Sequence, residues 1–234
     1  MNILAIGSHP DDLEINCFGT LAKCVQRGDT VTVATVTNGC MGHMVIPPEE
    51  LGPIRKGEAA EAARLIGAEY CCLDVDDLMV NRYDEAVLRQ CVDLIRRTRP
   101  ELVITHYFDD YARDHVETSH LVFTALLRAS IPHYRTEHPY LSHGIGLYYM
   151  TPSTLNGFEC THFVDITEQM ASKLAALSAH HSQIDWLRDF NGVDVLSTTR
   201  ALGELYGKQS QTRYAEGFQV CKHKLKMVPR HLLP

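Results

Sequence analysis

One imidazole and three carboxylates crowd a short stretch near the start of the chain, Gly7-Ser8-His9-Pro10-Asp11-Asp12-Leu13-Glu14. The stretch follows the apolar run 3–6 and precedes apolar residues spaced as on one face of a helix. A connection that only had to turn the chain would use Gly, Asn or Ser. Imidazoles and carboxylates are metal ligands and bases, so this strand-to-helix loop is predicted to do chemistry.

The same residue types recur far along the chain, in Asp110, Asp114 and His115. They follow the apolar run 102–105, which has the pattern of a fourth buried strand. In open parallel sheets, ligands bind at the carboxyl ends of the strands, where the strand order reverses. Strands one and four flank that reversal, so we expect the two loops to face each other across one crevice.

Two imidazoles and one carboxylate are the protein ligands of a catalytic zinc with an open fourth position. His9, Asp12 and His115 could supply them. Zinc lowers the pKa of its bound water to about 7, and that water would be the nucleophile. Asp11, if it is not a ligand, could then act as general base and afterwards protonate a leaving amine. In the alternative interpretation, Asp12 only caps a helix and Asp11 lies in solvent.

The elements that must position these residues alternate between strand and helix patterns. Four β-then-α units predict an α/β fold of three layers, Rossmann-like, with a mostly parallel central sheet. No repeat or linker interrupts them, so one domain over residues 1–234 is expected. The predicted strands are 3–6, 30–37, 70–73, 102–105, 146–150 and 163–166.

A further candidate lies in the helix after the second strand. Pro53 is expected to begin this helix and Gly67 to end it. Arg55 would then lie in the first turn, where the helix dipole disfavours a cation, which indicates a function or a solvated surface arginine. The loops 38–52 and 130–145 are expected to cover the site and set its specificity.

Composition excludes some classes of partner. The chain has 234 residues and a net charge of −7, which argues against nucleic acid and anionic membranes as partners. No apolar run approaches the roughly 20 residues of a membrane span, and the chain opens on a strand pattern and not on a signal peptide. The eight cysteines contain no C-x-x-C pair, as expected for buried reduced thiols in a cytoplasmic protein.

Taken together, these motifs resemble the PIG-L/LmbE-like family of zinc-dependent N-deacetylases. The resemblance rests on four features in the right order: His9-Pro10-Asp11-Asp12, Arg55, Asp110-Tyr111-x-x-Asp114-His115, and Tyr214-Ala215-Glu216-Gly217-Phe218. It implies a cytoplasmic hydrolase that removes the acetyl group of a small N-acetylglucosamine-type amino-sugar derivative. The products would be acetate and a free amine, and the family allows a homo-oligomer.

The resemblance also implies a role for each matching residue. One zinc ion per chain would be held by His9, Asp12 and His115, with Asp11 as the base. Asp114 would orient His115 from behind. Arg55 would bind the polar head of the substrate.

The second motif departs from the family pattern at Ala112. Family members often have a histidine there, three residues before the metal ligand, to stabilise the oxyanion, and such a donor is typically worth 10²–10³-fold in rate. His106, which ends the fourth strand, is the first candidate to replace it. Tyr111, Arg113 or a residue of the 130–145 loop are the others.

Two other functions stay open from the sequence. The superfamily includes a zinc-dependent hydratase of a dicarboxylic acid, and an acidic substrate would need cationic partners such as Arg55 and Arg113. A nucleotide-binding module without catalysis is the third hypothesis, although the chain lacks a G-x-G-x-x-G turn and a Walker-type loop.

Overall fold

The computed structural model describes residues 1–222 and 233–234, and within them the chain alternates strands and helices. The strands are β1 Asn2–Gly7, β2 Thr30–Thr37, β3 Glu69–Val75, β4 Leu102–Thr105, β5 Gly146–Met150, β6 His162–Asp165 and β7 Ala215–Val220. The helices are α1 Asp12–Asn16, α2 Phe18–Gln26, α3 Pro48–Ile66, α4 Glu85–Thr98, α5 Arg113–Ala129, α6 Met170–Leu177, α7 His181–Asn191 and α8 Val195–Ser210.

The strands form one sheet in the order β3-β2-β1-β4-β5-β7-β6. β1 to β5 pair in parallel, while β7 runs antiparallel to both of its neighbours. The mostly parallel sheet is therefore confirmed. The strand order reverses between β1 and β4, where Ile6 pairs with Thr105, so the two predicted loops leave the sheet side by side.

Apolar residues of the central strands point alternately to two cores. Ile3 and Ala5 of β1 pack into one core with α2, and Leu4 and Ile6 pack into the other with α4 and α5. A strand covered on both faces by helices is expected to be apolar over nearly all of its length, as β1 and β4 are. The three-layer α/β architecture is confirmed.

The helix that carries Arg55 begins earlier than predicted. α3 starts at Pro48, after Pro47 in an extended conformation, and it ends at Gly67 with a φ of 80°. Proline suits the first turn of a helix, because a backbone N–H at that position would have no partner within the helix. By this rule the sequence allows the helix to begin at either Pro48 or Pro53. Pro53 is instead inside the helix. Arg55 therefore lies beyond the first turn, and the dipole argument for it was wrong.

The loop 130–145 lies at the wrong edge of the sheet to line the crevice. His143 Nε2 is 3.0 Å from the carbonyl oxygen of Pro100, and the N–H of Gly146 donates to Glu101 O at 2.8 Å. Both partners directly precede β4, so this loop covers the amino edge and the expectation for it was wrong. The loop 151–161, which follows β5, leaves from the carboxyl edge instead.

Glu216 of the motif 214–218 is a buried residue that connects β7 to two helices. The carboxylate of Glu216 accepts the N–H groups of Gly19 and Thr20, at 2.9 and 2.7 Å, and the ammonium of Lys173 at 2.5 Å. Glu216 and Lys173 are buried, so the pair satisfies the free N–H groups at the start of α2. These contacts connect β7 to α2 and, through Lys173, to α6.

Three further expectations concern the chain as a whole. All eight cysteines, which lie in the described ranges, are free. Of the helices described, none is long and apolar enough to cross a membrane. The single domain over 1–234 stays a prediction, and its stretch 223–232 lies outside the described residues.

Candidate metal centre and active site

The site begins where β1 ends, in a turn with a strained backbone. Asp11 has a φ of 112° and a ψ of −25°. Positive φ in a residue other than glycine costs about 1–3 kcal/mol and concentrates at functional sites. Asp12 opens α1, and its Oδ2 accepts the N–H of His9 at 2.6 Å. The turn thus aims two neighbouring carboxylates in different directions.

The three predicted ligands come together at the carboxyl edge of β1 and β4. Asp12 Oδ2 is 3.3 Å from His9 Nδ1, and Asp12 Oδ1 is 3.2 Å from His115 Nε2. One ligand atom from each residue lies within 4.8 Å of the other two. Asp12 and His115 are 7% and 6% exposed. A His₂Asp set this close fits a zinc ion that keeps one position open.

A second carboxylate supports each imidazole, but not in the predicted pairing. Asp114 Oδ2 is 3.2 Å from His9 Nε2, whereas Asp110 Oδ2 is 3.2 Å from His115 Nδ1. Asp114 and His115 are consecutive residues of α5, and consecutive helical side chains do not face each other. The prediction that Asp114 orients His115 was therefore wrong, and Asp110 occupies that place.

His106 lies behind the ligands and not over them. Its Nε2 lies 2.9 Å from the backbone nitrogen of Ser8 and 3.1 Å from Asp12 Oδ2. Its ring stacks on that of His115 with centroids 4.0 Å apart, and the residue is 2% exposed. This position does not fit the predicted role of oxyanion donor. His106 instead holds Asp12 and His115 in place.

Arg55 reaches the site from α3 and contacts the predicted base. Its Nη2 donates to Pro10 O at 2.5 Å and lies 3.3 Å from Asp11 Oδ2, while Nη1 donates to Gly39 O at 3.0 Å. At 2% exposure it is not the solvated arginine of the alternative interpretation. A side chain at Gly39 would collide with it, since an added Cβ would lie 2.7 Å from Arg55 Cδ.

The carboxylates shift the protonation of the whole cluster. Burial lowers the pKa of His9, but Asp12 and Asp114 outweigh it and raise that pKa to about 10. For His115 burial also lowers the pKa, and Asp12 and Asp110 raise it to about 9. These imidazoles hold protons that a metal ion would displace, so metal binding here releases protons.

The carboxyl groups and His106 shift in opposite senses. Burial raises the pKa of Asp11 to about 6, although Arg55 opposes the shift. Asp12 is also buried, but the positive charges of His115 and His9, together with a hydrogen bond to His106, hold its pKa well below its usual range. Burial, followed by the charge of His115, lowers the pKa of His106 to about 4, so this ring stays neutral. Asp12 is thus the anion of the site, and Asp11 titrates close to neutrality, as suits a base.

The mouth of the site is formed by the loop before α5. Tyr111 is 76% exposed, with its ring 6.4 Å from that of His115. Partial desolvation, together with the negative charges of Asp110 and Asp12, raises the pKa of Tyr111. Arg113 begins α5 and is exposed. The N–H of Ala112 donates to Asp110 Oδ1 at 3.2 Å and so helps to orient the carboxylate that supports His115.

Sequence reasoning missed two residues beside the ligands. Asp77 is 5% exposed and its Oδ2 lies 3.8 Å from Arg55 Nη1. The second of these residues is His180. It is fully buried, 3.1 Å from Glu14 Oε1, and its charge lowers the pKa of Asp11. Asp77 carried a signal, the acidic run after β3, but nothing local marked His180.

Comparison with known proteins agrees with this geometry. The sequence profile of PIG-L, described as GlcNAc-PI de-N-acetylase, matches residues 4–126, more than half of the chain. A diacetylchitobiose deacetylase of Thermococcus kodakarensis is 28% identical, over 93% of this chain and 82% of its own. A 4-oxalmesaconate hydratase of Pseudomonas putida is 26% identical, over 56% of this chain and 54% of its own.

A solved structure shares the fold. The N,N'-diacetylchitobiose deacetylase from Pyrococcus horikoshii superposes with a TM-score of 0.80 and 26% identity, covering 94% of this chain and 83% of that one. The profile match spans β1 to α5 and so contains His9, Asp12 and His115. The chain belongs to the PIG-L family of deacetylases, which hydrolyse amide C–N bonds.

Proposed function

We propose that this protein is a zinc-dependent deacetylase of N-acetylglucosamine-type amino sugars. One observation carries the proposal: a compact His9, Asp12 and His115 set lies beside a carboxylate, Asp11, that is held outside it by Arg55. A ligand set that leaves a position open, next to an independent base, is the arrangement that hydrolysis of an amide requires.

The residues fit the ion by donor type and by spacing. When bound, zinc supplies a Lewis acid for the amide carbonyl and lowers the pKa of water to about 7. His9 and His115 each have a carboxylate behind the ring, Asp114 and Asp110 respectively. Such partners fix the orientation of ligand imidazoles and raise their basicity.

Asp11 carries the proton in this proposal. It accepts a proton from the attacking water and returns it to the amide nitrogen as the C–N bond breaks, which releases acetate and the free amine. A pKa of about 6 suits both directions of transfer near neutrality. Arg55 fixes the carboxylate through Nη2, and the strained φ of Asp11 aims it away from Asp12.

Tyr111 is our assignment for the oxyanion donor in place of the family histidine. It lies one residue before Ala112, is exposed at the mouth, and approaches His115 edge-on. Its raised pKa keeps the phenol protonated and able to donate. Tyr111→Phe should lower kcat about 10²-fold, the usual value of such a donor, with the bound metal unchanged.

Hydration of a dicarboxylic acid is the second candidate, because of the similarity to the 4-oxalmesaconate hydratase. The charges around the site argue against it. Several carboxylates line or support the centre, while Arg55 is already engaged and Arg113 stands exposed at the rim. Among the described residues of the site, the buried Arg55 already contacts Asp11 and Asp77, so it cannot also pair with the carboxylates of a dianionic substrate without giving up these contacts.

The test is acetate release from N-acetylglucosamine and N,N'-diacetylchitobiose by zinc-loaded protein, with the free amine detected in parallel. Asp11→Asn should lose most turnover, whereas Asp109→Asn, which changes an exposed acid on the loop before α5, should keep it. Equal activity of Asp11→Asn and wild type would refute the mechanism. Hydration of an unsaturated dicarboxylic acid without any acetate release would favour the second candidate.

A further inference from the structure

Two exposed leucines adopt a backbone conformation that leucine disfavours. Leu78 has a φ of 66° and is 73% exposed, and Leu155 has a φ of 58° and is 40% exposed. Positive φ brings Cβ too close to the backbone, so Gly, Asn or Asp usually takes such positions. Neither hydropathy nor local geometry accounts for leucine at either place.

Both leucines lie in loops fastened to the metal centre. The N–H of Leu78 donates to Asp114 Oδ2 at 2.7 Å, and Asp114 contacts His9. The N–H of Ser153 donates to Asp110 Oδ2 at 3.2 Å, and Asp110 contacts His115. Leu78 is therefore anchored to the His9 side of the ligand set, and Leu155 lies two residues beyond the contact that fastens its loop to the His115 side.

More apolar surface continues from Leu78 along the same rim. Met79 is 67% exposed and Met41 is 52% exposed. The N–H of Met41 donates to Asp77 Oδ2 at 3.1 Å, which ties it to the side of the site where Arg55 lies. Methionine adapts its shape to an apolar ligand. Leu78, Met79 and Met41 thus give the rim an apolar segment beside the acids of the centre.

We propose that Leu78 and Leu155 determine specificity by holding an apolar group of the substrate remote from its acetamide, such as an alkyl or aryl aglycone. This rests on the proposed deacetylase function. The acetamide has to reach Asp12 and His115, which are nearly buried, so the exposed leucines can contact only the part of the substrate that projects outward. An apolar aglycone would cover them.

Binding without turnover tests the role of the two leucines. Octyl and methyl β-glucoside carry no acetamide, so they can bind without being hydrolysed. Their Kd values for the zinc-loaded protein are measured by calorimetry, with octyl β-glucoside kept below the concentration at which it forms micelles. Octyl should bind at least about 10-fold more tightly, since each buried methylene is worth about fourfold. The double variant Leu78→Asn, Leu155→Asn keeps the backbone conformation, because asparagine tolerates positive φ. We expect it to reduce the ratio of the methyl to the octyl Kd to about twofold.

Leu127→Asn is the matched control, because Leu127 is 43% exposed on α5 and should leave the ratio as in wild type. A wild-type ratio near one, or a ratio unchanged in the double variant, would overturn the inference. Light scattering that shows a smaller assembly for the double variant would also overturn it, since the leucines would then lie between copies of the chain.

Acetate release from octyl and methyl N-acetylglucosaminide separates this inference from the proposed function. If wild type binds octyl β-glucoside more tightly than methyl β-glucoside but releases no acetate from either N-acetylglucosaminide, the proposed deacetylase function is refuted and the role of the leucines is supported. Acetate from both at equal kcat/KM, with equal Kd values for the two glucosides, would refute the rim alone. A longer N-acyl group that improves kcat/KM where the octyl aglycone does not would likewise refute it.

Discussion

Replacement of Arg55 by lysine separates two roles for this arginine. The family resemblance implies that it binds the polar head of the substrate. In the structure its two Nη atoms contact Pro10 O, Gly39 O and Asp11, and it is 2% exposed. The contacts predict a positioning role: Arg55 holds the base and the loop after β2, and lysine can meet only one of the three acceptors.

The size of the effect follows from the hydrogen bonds that lysine cannot make. Two hydrogen bonds from a charged donor, each worth about 1.5–3 kcal/mol, disappear in Arg55→Lys. We expect the free energy of unfolding to fall by about 3–6 kcal/mol. Displacement of the Asp11 carboxylate by about 1 Å should lower kcat about 10²-fold, while KM stays within about twofold because no substrate contact is removed.

The assay is steady-state acetate release, with urea unfolding followed in parallel. Arg64→Lys on the same helix is the control, since the Arg64 side chain is 69% exposed and pairs only with Glu61 among its described ion pairs. A raised KM with kcat unchanged at saturating substrate would refute the positioning role. That result would restore the substrate contact which the resemblance implies.

Three further predictions follow from single contacts. Asp110→Asn and Asp114→Asn should each weaken zinc binding about 10–100-fold in competition with a chelator; unchanged affinity would contradict their support of the ligands. Glu216→Gln should lower the free energy of unfolding by about 3–5 kcal/mol, because it leaves Lys173 charged and buried; an unchanged urea midpoint would be inconsistent. Burial raises the pKa of Cys91 to about 12, so iodoacetamide at pH 8 should label it only after unfolding, and rapid labelling of the native protein would contradict its burial.

Periodicity was sufficient for the sheet but not for the C-terminal part of the fold. β2, β4 and β5 have the predicted bounds because their apolar runs end at clear turn signals. α7, α8 and the antiparallel β7 were not predicted, since their apolar residues are few and their packing depends on distant partners such as α3 and α6. The start of α3 was misplaced because two prolines fit the same rule.

The clustering of the three candidate metal ligands was predictable from the sequence. His9, Asp12 and His115 share an edge because parallel strands β1 and β4 are neighbours, which the strand order alone requires. The pairing of the supporting carboxylates was not predictable from proximity in sequence, since the helical position of Asp114 turns it toward His9. The burial of His106 and Arg55 depends on packing that no local pattern encodes.

The most direct test of the metal centre is the zinc content of wild type, Asp11→Asn and Asp12→Asn by elemental analysis after dialysis. The two substitutions are chemically identical and one residue apart, so they differ only in what each carboxylate does. We predict one zinc ion per chain in wild type and in Asp11→Asn, and almost none in Asp12→Asn. Loss of zinc from Asp11→Asn, or its retention by Asp12→Asn, would contradict the division of ligand and base.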